Sequence, residues 1–97
     1  MVINERAKDD CYNAFKKMVA EGIELIKSNA TDNKFEIWIK YSDQIVEIAG
    51  GCYDPTISLN YLWLRFELQK NDNISLKKQV SAYIQYLLEC LECMNKM

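Results

Sequence analysis

The chain has no histidine, one proline, three glycines and only two arginines among its 97 residues, and each scarcity closes off an option. Without histidine, the commonest general base and metal ligand is missing. The Glu-x-x-His ligand set of di-iron helical bundles cannot be assembled, and a serine or cysteine nucleophile would lack its usual proton acceptor. Lys and Arg together number 12 against 14 Asp and Glu, a formal net charge of -2. No basic stripe is available to displace counterions from phosphates, which argues against a nucleic-acid partner. The pairs Lys16-Lys17 and Lys77-Lys78 stand among carboxylates and read as solvated surface. No apolar run approaches the ~20 residues of a membrane span, and the first ten residues lack the apolar segment of a secretion signal. The expected setting is therefore cytoplasmic and reducing, without membrane association.

Gly50-Gly51 is an isolated pair and makes no phosphate loop. Cys11, Cys52, Cys90 and Cys93 are read as packed free thiols. Cys90 and Cys93 form a C-x-x-C late in a helical segment, beside Glu89 and Glu92. There the helix dipole and the carboxylates raise a thiol's pKa, opposite to what a redox site needs. One close pair is also too few for a structural zinc site. No metal, no cofactor and no enzymatic activity are expected. The carboxylates Asp43, Glu47 and Asp54 read as solvated surface and not as a catalytic pair.

What the chain does contain is helix. Hydrophobic residues make up 49% and charged residues 27%, ordinary values for one folded domain spanning residues 1–97. Scarce glycine and proline leave long uninterrupted elements, and the apolar periodicity predicts helices over about 5–28, 33–49, 55–70 and 74–96. Asn4 can cap the first, whose apolar positions run Ala7, Cys11, Phe15, Met18, Val19, Gly22, Leu25 and Ile26. Asn33 with Glu36 resembles a capping box for the second. Its wide apolar side holds Phe35, Ile37, Trp38, Ile39, Tyr41, Ile45, Val46, Ile48 and Ala49, and Gly50-Gly51 is its expected stop. Asp54-Pro55 starts the third, and Asn71-Asp72-Asn73 turns the chain into the fourth. Short turns make antiparallel neighbours, so the fold class is all-α, a compact four-helix bundle or an orthogonal four-helix array.

The third helix has two apolar faces. At roughly 100° per residue, Ile57, Tyr61, Leu64 and Leu68 fall on one side and Leu59, Leu62, Trp63 and Phe66 on the other. A surface helix needs only one such stripe, so the second is either sandwiched within the fold or meets another chain. The fourth helix carries Lys77 and Lys78 at its positive end and Glu89 and Glu92 at its negative end. This inverted order would become complementary against an antiparallel second copy, with a two-fold axis near Tyr83 and Ile84. A stripe of Gln79, Tyr83, Tyr86, Cys90, Cys93 and Met97 beside its core supplies interface-type side chains.

These features predict a small intracellular protein-binding module of the regulator or inhibitor type. Its candidate binding residues are Leu59, Leu62, Trp63, Phe66, Tyr83 and Tyr86, and its partner is another protein. Size, acidity and helical class are similar to those of small inhibitors from mobile elements and of bacteriocin immunity proteins, although no motif carries that likeness. Abundant Ile, Lys, Asn and Tyr, residues with AT-rich codons, suit a low-GC bacterium, a phage or a plasmid. Two alternatives stand beside this reading. One is a structural homo-oligomer, a homodimer through the third or fourth helix. The other is a carrier of a small apolar ligand held by Trp38, Tyr41, Tyr61 and Trp63.

Overall fold

The computed structural model describes residues 5–52, 55–70 and 73–95. The expected caps Asn4 and Asp54, the turn residues Asn71 and Asp72, and Met97 lie outside these, as do the side chains of Ala7 and Cys52. Four helices follow in order: α1 (Glu5–Lys27), α2 (Asp32–Cys52), α3 (Pro55–Gln69) and α4 (Leu76–Asn95). The protein is all-α, as the periodicity requires.

The helix ends show the local chemistry. At the end of α1, Asn29 takes a left-handed φ of 51°. The Ala30 amide donates to the Leu25 carbonyl at 3.1 Å and the Asn29 amide to Ile26 at 3.3 Å, the paired bonds of a Schellman cap. Thr31 begins α2: its carbonyl accepts from the Lys34 and Phe35 amides at 3.0 and 3.2 Å. The expected capping box therefore moves, and Asn33 lies inside the first turn. Pro55 is the first residue of α3, where a missing amide proton costs nothing. The Ser75 hydroxyl accepts from the Lys78 amide at 3.2 Å and caps α4.

The expected stop at Gly50-Gly51 is corrected. α2 runs through both glycines to Cys52, and neither has a positive φ. Gly50 instead serves contact: a Cβ built there would stand 2.6 Å from Ser58 Oγ and 2.9 Å from Ser58 Cβ. The missing side chain lets α3 close onto α2.

The core is shared unequally. α1 contributes Cys11, Phe15, Met18 and Val19, α2 contributes Phe35, Trp38, Val46 and Ala49, and α4 contributes seven side chains around Val80, Tyr83 and Leu87. From α3 only Tyr61 is buried. α1 packs on α2 and α4, while α3 rests mainly on α2, meets α4 lightly and does not touch α1. Three helices thus form the centre, and α3 lies along its flank.

Tyr83 is corrected as an interface candidate: it is 1% exposed and belongs to the core, as does its neighbour Ile84 at 7%, so neither side chain is open to a second copy. The inverted charges of α4 find a partial explanation within the chain. Lys77 Nζ donates to Asn29 Oδ1 at 3.2 Å, which places the cation beside the carbonyl-rich C-terminus of α1.

Candidate protein-binding face

α3 is held to the body of the protein by its inner face. The Tyr61 hydroxyl donates to Ser42 Oγ at 3.2 Å, and Ser42 is the only buried polar residue among those described. Around it the Tyr61 ring packs on Tyr83 at 5.1 Å and on Tyr86 at 5.8 Å between centroids. The Tyr86 hydroxyl donates to the Ile57 carbonyl, tying α4 to the first turn of α3. At the rim of this cluster Arg65 pairs with Asp43. Tyr86 is therefore half-buried and spends its hydroxyl within the chain, so of the two tyrosines expected at an interface neither is free for one.

With that face engaged, the opposite one is left in water. Leu59, Leu62, Trp63 and Phe66 are between 54% and 62% exposed. The four alone line a groove of about 410 Å³. Trp63 and Phe66 meet edge to face at 6.4 Å, an arrangement that holds each ring in place. Lys70 Nζ reaches back over the Phe66 ring at 5.9 Å from its centroid. The structure thus brings together four of the six side chains chosen from sequence.

A second apolar region was missed. Ile37, Tyr41 and Ile48, placed on the core side of α2 by the helical wheel, are exposed. Ile37 and Tyr41 border a depression between α1 and α2, floored by Met18, Leu25 and Trp38. The signal was present: the apolar arc of α2 is much wider than the stripe a single packed face requires. Of the four aromatics expected to cradle a ligand, Trp38 and Tyr41 border this depression, Tyr61 lies in another between α2 and α3, and Trp63 is on the outer groove. They do not converge.

The titratable groups of the inner cluster are tuned by burial, not by a site. Burial pushes the Cys90 thiol from its ordinary 9.0 up to about 11, partly offset by the nearby Tyr86 hydroxyl. Burial also pushes Tyr83 up to about 12, with Asp43 adding to the shift, and raises Tyr61 and Tyr86 in the same direction. These groups are neutral when protonated, so the unfolded chain ionises first. Their stabilising effect is complete below about pH 9 and is lost as pH rises through the folded values. Urea midpoints are accordingly expected to hold steady from pH 7 to 9 and fall between pH 9 and 12. A midpoint unchanged at pH 11 would contradict this packing.

Among the described residues no cluster of His, Cys, Asp and Glu could hold a metal ion, and no helix is long and apolar enough to cross a membrane. Cys93 is exposed, whereas Cys11 and Cys90 are buried. No family model matches the chain, and no curated protein or solved structure is significantly similar to it.

Proposed function

We propose that this protein is a non-enzymatic binding module that acts by covering part of another protein's surface with the outer face of α3. The observation that carries this reading is the set of Leu59, Leu62, Trp63 and Phe66, left in water on a helix whose other face is already packed. Burying large apolar side chains that are more than half exposed is worth roughly 1 kcal/mol or more each. A cluster centred on tryptophan is also the usual composition of an interface hot spot. Action by occupation, as in a small regulator or inhibitor, asks nothing further of the chain.

The test pairs light scattering with recovery of a partner from the native host, using wild type and Phe66→Asp. The expected result is a monomer at micromolar concentration and a bound partner that Phe66→Asp no longer retains. A stable dimer abolished by Phe66→Asp would shift the assignment to a homo-oligomer built through α3. A partner retained equally by both proteins would overturn the role of this face.

A further inference from the structure

The groove on α3 does not end in neutral surface. Leu62, one of its four walls, is also a wall of a notch of about 310 Å³ between α2 and α3. Asp43, Glu47, Ser58, Tyr61 and Arg65 line the same notch. Two carboxylates face one guanidinium there, a net charge of minus one. Arg65 is already committed to Asp43 Oδ2. The other carboxylate oxygen, Oδ1, is shut off from solvent and receives no hydrogen bond, although the Tyr61 hydroxyl lies close enough to feel the carboxylate. Glu47, one turn further along α2, is exposed and forms no ion pair among the described residues. Like charges four residues apart on a helix repel each other, so the notch is short of one cation.

The apolar residues next to it, at positions 59, 62, 63 and 66, repeat at the three- and four-residue steps by which one helix packs on another. Resting on the function proposed above, we infer that the partner of this face is an amphipathic helix. It lays an apolar stripe over Leu59, Leu62, Trp63 and Phe66 and places a lysine or arginine at the mouth of the notch, against the exposed Glu47 carboxylate. The apolar stripe supplies most of the affinity, and the cation sets the register of the helix along α3.

The probe is a displayed library of amphipathic helical peptides selected on wild-type protein, with Trp63→Ala and Glu47→Lys as comparison targets. Glu47 is exposed, so its replacement leaves the core intact, and thermal melts of both variants confirm folding. Peptides that lose binding on Trp63→Ala are expected to carry Lys or Arg at one constant position flanking the apolar stripe. Their affinity should fall roughly tenfold on Glu47→Lys at low salt, with the difference shrinking at high salt. Trp63-dependent peptides without that basic position, and indifferent to Glu47→Lys, would overturn the inference about the notch while leaving α3 as the docking face. Finding no Trp63-dependent peptide would overturn both.

Discussion

Trp38→Ala is expected to destabilise the protein by about 3–5 kcal/mol, whereas Trp63→Ala should leave stability within about 0.5 kcal/mol. The two tryptophans are alike in sequence, each inside a helical apolar run, but differ in what surrounds them. Trp38 is 3% exposed and Trp63 62% exposed. The Trp38 indole also donates to the Met18 carbonyl at 2.9 Å, so its removal both leaves a cavity and takes away a buried hydrogen bond between α2 and α1. Against a total stability of about 5–15 kcal/mol for a domain of this kind, that loss takes away much of the folded population. Trp63 meets Phe66 edge to face and lines the open outer groove with Leu59 and Leu62. Urea unfolding followed by circular dichroism measures both. Equal costs would mean that the outer face of α3 is packed and not free.

The second large effect is expected at Gly22, where valine should cost about 1–3 kcal/mol or more. A Cβ there would stand 2.8 Å from Ile84 Cδ1, 3.0 Å from Ile84 Cγ1 and 2.9 Å from Trp38 Cζ2. The end of an isoleucine can swing away, but the indole is pinned by its bond to Met18. Elsewhere in a helix, replacing glycine with alanine gains up to about 1 kcal/mol. Gly51, which has nothing within 4 Å of a built Cβ, is the control. Gly51→Ala should raise the melting temperature slightly and Gly22→Val lower it by several degrees. A Gly22→Val protein as stable as wild type would show that α1 does not approach α2 and α4 so closely.

How legible each part was depends on the range of the interactions involved. The four helices could be read because their periodicity, Pro55 at a helix start and the polar turn before α2 are properties of neighbouring residues. The misplacements at Asn33 and Gly50-Gly51 concern local preferences worth about 1 kcal/mol. At the start of α2 a neighbouring local arrangement prevails, with the Thr31 carbonyl accepting from the Lys34 and Phe35 amides. At Gly50 any side chain would collide with Ser58 of α3, so the glycine serves a close approach that is invisible along the chain. Tyr83 was misassigned for the same reason. A tyrosine at the edge of a helical wheel fits either a wet margin or a core, and the Tyr61 ring decided for the core.

By itself the sequence determined that α3 would have two apolar faces and that the fold would be all-helical. Those conclusions need only residue types and spacing along the chain. Only the tertiary structure decided which face of α3 is buried. Tyr61, paired with Ser42 and packed at a tilt on Tyr83 and Tyr86, commits the inner face. α1, α2 and α4 pack on one another and take only the inner face of α3, so Leu59, Leu62, Trp63 and Phe66 have no internal surface left to meet. Burial of one face or the other is a choice between contacts distant in sequence, and spacing along a helix is identical for both.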